Sequence, residues 1–550
     1  MKTEITDLFL KIIRDKFNVD VNLELLKSDP KYGDFSTNVA LKLANVLGKT
    51  PEEIANTIIL ELEKLSQNLL TNITFSAPGF INFKLADEIL LNDNYLSKNN
   101  FFSNQTIVIE TNNPNPFKSM HVGHALNAVI GDTIANLLEF GGGKVHRVSY
   151  HGDIGTHVGK SMWSILKYLD GDLDKLNQLK PDDRNNFMSR MYAEGSKAYD
   201  ESEEIKAEII ELTKKSYKLE DDFYYQVYSI CKKWSFEDLD IILEKLGSKP
   251  VEKRYLESEA YKIGFKIVNE NIGRVFTKSD SAIIFRGEDY HLFTVVFISS
   301  TGNGLYAARD LGLIKLKEND FAPDKSYIIT DNGQKDYFKV IFKASELLNI
   351  TTSDETININ TGLVKLSTGK MSSREGKVLD INWLVDQVSG KLAEHNENFD
   401  NKLIAGAIRY QLLKVKLGGD IVFDIDQSVS LQGNTGPYLM YAHARARSIL
   451  GKAVQTNNVD EKVKYIDAER GLALKLFDYE SILNQAVAEL KPNIACNYLY
   501  ELSQEFNQFY EHNKVLGSER QSIRLKLVNK YADVLRHGLN ILGIFAPDKM

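Results

Sequence analysis

The chain has 550 residues, of which 43% are hydrophobic and 26% are charged, as is typical of soluble globular proteins. This length exceeds what a single hydrophobic core usually supports, so we expect three or four domains. The formal net charge of −8 argues against indiscriminate coating of nucleic acid, and the two distant cysteines, Cys231 and Cys496, predict neither a disulfide framework nor a metal cluster.

Residues 1–103 are predicted to form a small α+β domain. The chain starts without the apolar core or cleavage site of a signal peptide, and no apolar run reaches the roughly 20 residues that span a bilayer, so we expect a cytoplasmic protein. Thr50-Pro51-Glu52-Glu53 predicts a helix start, because it supplies an N-cap, a proline in the first turn and acidic residues near the helix N-terminus. The alternating stretch ITFSAPGFINFKL predicts a β-hairpin around Pro78-Gly79.

Residues 104–381 alternate short β-branched strands with helices, which predicts a Rossmann-like, doubly wound parallel sheet. The predicted strands are TIVIE, KVHRVSY, SAIIFR, YIITD and ININTGLVKL. Charged, Tyr-rich helical sequence at about 160–270 interrupts the alternation, and we interpret it as an insertion. Strand signals nearly vanish after Asn382, so residues 382–550 are predicted to form an all-α helical bundle.

Two histidines follow the first strand of this sheet. Strand TIVIE breaks at a loop with two prolines, and the prolines exclude a helix start much before His121. His121 and His124 then share one face of the first turn, where free backbone N–H groups favour phosphate. Gly123 would let a flat base pack against the backbone. The alternative is a helix whose first turn contains two histidines without a function.

A second motif, LSTGKMSSREGKVL, surrounds Lys370. It places two cations and two hydroxyls in one short loop, which could neutralise the charge that develops on an α-phosphate and on departing pyrophosphate. An exposed basic loop without a function is the alternative. Together, the two motifs predict an ATP site that activates a carboxylate.

The histidine motif resembles the HIGH motif of class I aminoacyl-tRNA synthetases, and Lys370–Arg374 resembles their KMSKS motif in the form KMSSR. Ser373 stands where the motif has its second lysine, so the charge of that lysine would come from Arg374 or Lys377. Five further pieces resemble arginyl-tRNA synthetases and span almost the whole chain. They are DFSTNVALKLAN with APGFINFKL, ETNNPNPFKSMHVGH, LYAARDLG, LQGNTGPYLMYAHARARSIL and the ending RHGLNILGIFAPDKM.

The resemblance implies a set of site residues. The implied catalytic residues are His121, His124, Lys370, Arg374 and Lys377. The implied ATP-binding residues are Lys118, His121, Gly123, His124, Lys370, Met371, Ser372 and Ser373. The implied arginine-binding residues are Glu110, Asn113, Asn115, Tyr306, Asp310 and Gln334.

The spacing of two of these residues also fits arginine on chemical grounds. Tyr306 and Asp310 are four residues apart in a predicted helix and therefore share a face. A carboxylate and a phenol can receive the fixed fork of donors on a guanidinium, and Glu110 adds a second carboxylate at the end of its strand. The alternative is that Asp310 is a surface carboxylate paired with Arg309 or Lys315.

The implied activity is that of an arginine–tRNA ligase, which uses ATP with Mg²⁺ and no zinc, requires bound tRNA for activation, and acts as a monomer away from membranes. The N-terminal domain is expected to touch the tRNA elbow and the C-terminal bundle the anticodon loop. Arg520, Arg524 and Lys530 are candidate RNA contacts, with a solvated helix as the alternative. Another class I synthetase, or a non-catalytic tRNA-binding paralogue, stays open at this point.

Overall fold

The computed structural model describes residues 2–29, 31–66, 69–90, 99–218, 220, 222–352, 354–367, 379–395, 399–453 and 464–550. The chain divides into two compact units. The first comprises residues 1–97, 445–483 and 498–535, and the second comprises residues 98–444, 484–497 and 536–550. Across the described ranges, no helix is both long and apolar enough to cross a membrane.

The N-terminal part of the first unit is an antiparallel sheet with helices. Its elements are α1 (Lys2–Phe17), β1 (Leu26–Lys27), β2 (Phe35–Thr37), α2 (Val39–Leu47), α3 (Pro51–Leu65), β3 (Leu70–Ser76), β4 (Phe80–Leu85) and α4 (Asp87–Leu90). The strand order is β1-β2-β4-β3, and the β3–β4 pair confirms the predicted hairpin. The predicted start of α3 is also confirmed, because the Thr50 hydroxyl accepts from the Glu53 N–H at 3.2 Å and the Glu53 carboxylate accepts from the Thr50 N–H at 2.9 Å.

The second unit is built on a parallel sheet. From Thr106 to Leu366 its elements are β5 (Thr106–Asn112), α5 (Val122–Phe140), β6 (Lys144–His151), α6 (Thr156–Leu169), α7 (Asp174–Asn177), α8 (Pro181–Glu201), α9 (Glu203–Lys218), α10 (Phe223–Lys245), β7 (Lys253–Leu256), α11 (Glu257–Glu270), β8 (Thr277–Ser279), β9 (Ala282–Phe285), β10 (Val295–Ile298), α12 (Tyr306–Phe321), β11 (Lys325–Asp331), α13 (Lys335–Leu347), β12 (Thr356–Thr361) and β13 (Val364–Leu366). The sheet order is β12-β11-β5-β6-β7, with every neighbouring pair parallel. After β5 the chain adds β6 and β7 on one side of the sheet, and it then adds β11 and β12 on the other side. The switch point of the doubly wound sheet therefore lies between β5 and β11. This confirms the predicted Rossmann-like sheet.

Three segments differ from their predictions. ININTGLVKL is not one strand, because it divides into β12, which belongs to the parallel sheet, and β13, which lies outside that sheet. SAIIFR forms β9, which pairs antiparallel with β8 and β10 in a separate sheet and takes no part in the parallel sheet. The segment 160–270 is helical as far as Lys245, but β7 then joins the parallel sheet beside β6. The sequence KRYL gave no strand signal because an edge strand pairs on one side only and does not need an apolar run.

The insertion helices have an apolar core of their own. Buried side chains from α6, α8 and α10 pack together, among them Met162, Met188 and Tyr228, and Phe117 from the loop before α5 joins them. The insertion is therefore in direct contact with the segment that leads to the histidines.

The rest of the chain is largely helical, as predicted. Its elements are α14 (Ile381–His395), α15 (Lys402–Leu413), β14 (Ile421–Phe423), α16 (Ile425–Ser428), α17 (Gly436–Gly451), α18 (Asp467–Phe477), α19 (Tyr479–Glu489), α20 (Pro492–His512) and α21 (Gln521–Ile541). The short strand β14 was not predicted, and it pairs in parallel with β13. Arg409 of α15 is fully buried, and it donates to the Asp132 carboxylate of α5 at 2.8 Å and to the Leu542 carbonyl at 2.8 Å. These contacts fix the second half of α5 within this unit.

Candidate active site

A cavity of about 710 Å³ opens at the carboxyl ends of β5 and β11, which is where a doubly wound sheet binds ligands. The predicted site residues that line it are Glu110, Asn113, Asn115, His121, Gly123, His124, Tyr306, Asp310 and Gln334. Lys118 does not line this cavity. Lys370, Met371, Ser372, Ser373, Arg374 and Lys377 lie outside the described residues. On either side of that segment, Val364 and Leu379 line the cavity.

The two histidines sit at the N-terminus of α5, as the prolines and spacing predicted. His121 is the N-cap, and its Nδ1 accepts from the His124 N–H at 3.2 Å. The two rings stack with their centroids 3.6 Å apart. A Cβ on Gly123 would lie 3.0 Å from His121 Nδ1, so the glycine makes room for the His121 ring itself.

Both histidines are neutral near pH 7. Burial, and then the nearby cation of Lys118, lower the pKa of His121 to about 4. Burial and the neighbouring His121 lower the pKa of His124 to about 2. Nδ1 of His124 is buried and has no hydrogen-bond partner among the described residues. A neutral imidazole in this position can donate to a phosphate oxygen without carrying a buried charge of its own.

The loop between β5 and α5 is held at its start by the end of β6. The Asn113 amide oxygen accepts from the Tyr150 N–H at 3.3 Å, and the Asn115 amide oxygen accepts from the Gly152 N–H at 2.9 Å. A Cβ on Gly152 would lie 3.0 Å from the Asn115 oxygen, so glycine permits this close approach. The two asparagines are thereby oriented into the cavity.

The end of the same loop pairs with the chain that follows the Lys370 segment. The Val122 N–H donates to the Leu379 carbonyl at 2.8 Å, and the Ile381 N–H donates to the Met120 carbonyl at 3.1 Å. The first turn of α5 is therefore fixed by residues more than 250 positions later in the sequence.

Glu110 lies at the floor of the cavity in a buried ion pair that the sequence did not reveal. Lys317 Nζ donates to Glu110 Oε1 at 2.7 Å, and both residues are 1% exposed. Asn113 Nδ2 donates to the other oxygen, Oε2, at 3.3 Å. Lys317 follows Asp310 by seven residues on α12, so helical periodicity placed the two on one face, although nothing linked either to Glu110.

A second acid at the cavity, Glu257, is also paired. Arg309 donates to Glu257 Oε2 at 2.8 Å and to the Tyr217 hydroxyl at 2.9 Å, and its guanidinium lies 5.0 Å from the Tyr306 ring centroid. Burial raises the pKa of Glu257, although Arg309 acts in the opposite direction. The alternative in which Arg309 pairs with Asp310 is therefore not what the structure shows, because Arg309 binds Glu257.

Asp310 has a hydroxyl partner in place of a cation. The Tyr337 hydroxyl donates to Asp310 Oδ2 at 2.6 Å, and no described residue forms an ion pair with this carboxylate. Burial raises the pKa of Asp310 to about 7; the Tyr337 hydrogen bond opposes this, and the charges of Glu257 and Glu110 add to it. The Tyr150 hydroxyl also lines the cavity, buried and with no hydrogen-bond partner in the described ranges.

Two predicted arginine-binding residues lie at the rim. Tyr306 is 68% exposed at the first residue of α12, and Gln334 is exposed in a 3₁₀ turn. Gln334 Nε2 donates to Asp331 Oδ2 at 3.4 Å, and Asp331 also lines the cavity. Both side chains border the same opening as Asp310.

The three candidate RNA contacts are largely held inside the first unit. Arg520 and Arg524 donate to the fully buried carboxylate of Glu469 at 2.8 and 2.9 Å, and Lys530 donates to the Leu90 carbonyl at 3.3 Å. Burial would raise the pKa of Glu469, but the two arginines outweigh it and lower the pKa. Arg524 and Lys530 are 9% and 6% exposed, so little of either side chain faces solvent. The Arg520 side chain is the more accessible of the two arginines, at 27% against 11% for Arg524.

A second cavity, of about 840 Å³, was not predicted. It lies within the second unit between α14, α15, α17 and the C-terminal residues. Apolar side chains that are more than 40% exposed surround it, namely Leu431, Tyr441, Phe545 and Met550. Exposed aromatic faces of this kind can stack on unpaired bases. Within the described ranges, no group of three or more His, Cys, Asp or Glu side chains could hold a metal ion.

Three family models match consecutive parts of the chain. A model described as the arginyl tRNA synthetase N terminal domain matches residues 1–85, and one described as the catalytic domain of class I (R) tRNA synthetases matches residues 86–424. A model described as the DALR anticodon binding domain matches residues 439–550. Synthetases of this class use ATP.

Individual relatives agree over the full length. Proteins named arginine–tRNA ligase from Borrelia turicatae and Picosynechococcus are each 28% identical to this chain; the alignments cover 99% and 100% of this chain, and 97% and 99% of the respective relatives. The solved Thermus thermophilus arginyl-tRNA synthetase superposes over 100% of both chains with a TM-score of 0.82 and 21% identity, and so has the same fold. With its catalytic-domain model covering more than half of the sequence, the chain belongs to the class I (R) tRNA synthetase family.

Proposed function

We propose that this chain is an arginine–tRNA ligase, which activates arginine with ATP and transfers the arginyl group to the terminal ribose of its tRNA. The observation that carries the proposal is the presence, in one cavity, of two neutral histidines and of a carboxylate, Asp310, that forms no ion pair with any described residue. The first feature suits a nucleotide phosphate, and the second suits a cationic amino acid.

Charge balance in the cavity supports a cationic side chain. Glu110 is paired with Lys317 and Glu257 with Arg309, whereas the buried Asp310 forms no ion pair with a described residue. A guanidinium would supply a positive charge and could also donate to the free lone pairs of the other carboxylates. Neutral citrulline would offer Asp310 no positive charge and would forgo a charged hydrogen bond, which is worth about 1.5–3 kcal/mol.

The arginine site proposed on this basis centres on Asp310 and its partner Tyr337, with Tyr306 at the rim. Glu110 is proposed as a hydrogen-bond acceptor whose charge is already balanced. Asn113, Asn115 and Gln334 are proposed to hold the α-amino and carboxylate end. This assignment is supported by the orientation of both asparagines into the cavity through their bonds to the end of β6.

Activation is proposed to proceed by in-line attack. A carboxylate oxygen of arginine attacks the α-phosphorus of ATP, the bond to the β-phosphate oxygen breaks, and pyrophosphate leaves with its electron pair. A hydroxyl of the terminal ribose then attacks the arginyl carbonyl carbon to form an ester, its proton passes to solvent, and AMP leaves with the electron pair of the broken mixed-anhydride bond. His121, His124 and Lys370 are proposed to stabilise the charge on the transferring phosphate, with Arg374 and Lys377 as further cations.

ATP is proposed to bind together with Mg²⁺. Such ions are usually bound by the substrate's phosphates and only one or two protein carboxylates, so a separate metal site in the protein is not needed. Lys118, Gly123, Met371, Ser372 and Ser373 complete the proposed ATP-binding set.

RNA binding is proposed for two further parts of the chain. Residues 1–103 are proposed to contact the tRNA elbow, and residues 382–550 are proposed to contact the anticodon loop. The second cavity supports the latter, since the exposed ring of Tyr441 beside it can stack on an unpaired base. Residues 104–381 would form the catalytic domain. We further propose a cytoplasmic monomer whose activation step requires bound tRNA.

The test is amino-acid-dependent exchange of pyrophosphate into ATP, with and without tRNA that accepts arginine. We expect exchange with arginine and tRNA together, and no exchange with lysine, cysteine or citrulline. Exchange supported by cysteine or lysine in place of arginine would mean that the chain is a different class I synthetase. No exchange with any amino acid, in a protein that still binds tRNA, would indicate a non-catalytic paralogue.

A further inference from the structure

Phe117 has an unusual backbone conformation four residues before His121. Its φ is +67°, in the left-handed region, where a bulky side chain is uncommon and must be held by its surroundings. The residue is fully buried, and its ring stacks on Tyr228 of α10 with the centroids 5.3 Å apart. The chain therefore reverses direction here through contacts with the helical insertion.

Three serines of the insertion hold this turn, one from each of three helices. Ser161 of α6 donates to the Phe117 carbonyl at 2.7 Å, and Ser235 of α10 accepts from the Phe117 N–H at 3.0 Å. Ser189 of α8 shares a hydrogen bond with the Ser119 hydroxyl, with the two oxygens 2.7 Å apart. We call Ser161, Ser189 and Ser235 the insertion serines.

The loop before α5 thus has separate supports for its two ends. Asn113 and Asn115, on the proposed arginine side, are bonded to the end of β6. Phe117 and Ser119, which flank Lys118 on the ATP side, are bonded to the insertion serines. A change in these serines should therefore move the ATP side of the loop and leave the arginine side in place.

We propose that the insertion serines are positioning residues, which orient Lys118 and the His121–His124 pair toward the phosphates of ATP. This inference rests on the proposed function and deepens it, because it gives the helical insertion a part in the activation step. The serines act through the Phe117 turn and do not themselves touch substrate. The buried left-handed Phe117 is the element that needs such support.

The experiment compares Ser161→Ala, Ser235→Ala and the double variant with a matched control, Ser164→Ala. Ser164 lies one turn after Ser161 on α6, and its hydroxyl is buried without a hydrogen-bond partner among the described residues. We expect each single variant to lower the kcat of pyrophosphate exchange about fivefold and the double variant about 25-fold, as for the loss of one or two hydrogen bonds. The Kd for arginine, measured by calorimetry, should change less than twofold, and Ser164→Ala should match wild type.

The inference is overturned if the singles keep wild-type exchange, or if kcat and arginine affinity fall together, since the serines would then be only structural. Should the double variant fail to fold, the two single variants decide the question. If wild-type protein neither binds arginine nor shows arginine-dependent pyrophosphate exchange, the proposed function is refuted instead. In that case the Kd for ATP decides, because Ser161→Ala and Ser235→Ala should weaken ATP binding severalfold relative to Ser164→Ala, and equal affinities would refute the positioning role.

Discussion

Arginine binding should depend on pH close to neutrality, because it requires the ionised form of Asp310. Burial and the charges of Glu257 and Glu110 raise the pKa of this carboxyl to about 7, against the opposing hydrogen bond from Tyr337. Below that pH the group is protonated and offers a guanidinium no charge. At pH 6 about one tenth of it is ionised, so the apparent Kd for arginine should be about tenfold higher than at pH 8.

The sign of the effect can be measured directly. Arginine binds the ionised carboxylate, so binding near pH 7 should release about half a proton. Calorimetry in buffers of different ionisation enthalpy measures that release. Tyr337→Phe removes the hydrogen bond that favours the ionised form, so its midpoint should move to higher pH.

Asp310→Asn is the control for the assignment. It should weaken arginine binding about 10- to 150-fold, as expected for a charged hydrogen bond of about 1.5–3 kcal/mol, and it should abolish the dependence on pH between 6 and 8. His121 and His124, with pKa values of about 4 and 2, do not titrate in this range. Wild-type affinity that stays constant from pH 6 to 8, or an Asp310→Asn protein that keeps the wild-type profile, would refute the reasoning.

Three stability predictions follow from buried contacts and are measured by urea unfolding. Lys317→Met leaves the buried Glu110 carboxylate without its cation and should lower the free energy of unfolding by about 3–5 kcal/mol. Lys317→Arg should retain most of the stability, and equal losses in the two variants would argue against the ion pair. Phe117→Gly should be more stable than Phe117→Ala by about 0.5–1 kcal/mol, because glycine tolerates the φ of +67°, and the reverse order would contradict that conformation. Gly131→Ala should cost about 1–3 kcal/mol, since its Cβ would lie 2.8 Å from Thr111 Cα of β5; an unchanged midpoint would show that α5 can shift.

Local sequence rules predicted the elements of the catalytic site well. Two prolines set the start of α5, and strand–helix alternation indicated the parallel sheet, because these signals depend on neighbouring residues. The partners of Glu110 and Asp310 were missed. Lys317 lies 207 residues after Glu110, and Tyr337 belongs to a different helix from Asp310. Such pairs are created only when the sheet assembles.

The charge of a helix face is also difficult to predict from sequence, as the basic residues of the C-terminal helices show. A run of cations in sequence indicates a basic face only if no acid from elsewhere meets it. Glu469 comes from α18, some 50 residues earlier, and binds Arg520 and Arg524 together. A carboxylate that is buried away from water requires nearby cations. Arg520 and Arg524 therefore bind Glu469 inside the unit, although the sequence suggested that they were available to bind RNA.

The conformation of the segment before the histidines is the part of the site that is hardest to predict from the sequence. Residues 113–122 have almost no regular structure, and three distant parts of the chain fix them: the end of β6, the insertion helices and residues 379–381. Each support bears on a different portion, so the amino-acid end, the phosphate end and the start of α5 can be positioned separately. A left-handed phenylalanine can persist at the middle support because the insertion helices hold it, and under the proposed positioning role its conformation directs the segment with Lys118 and His121 toward ATP.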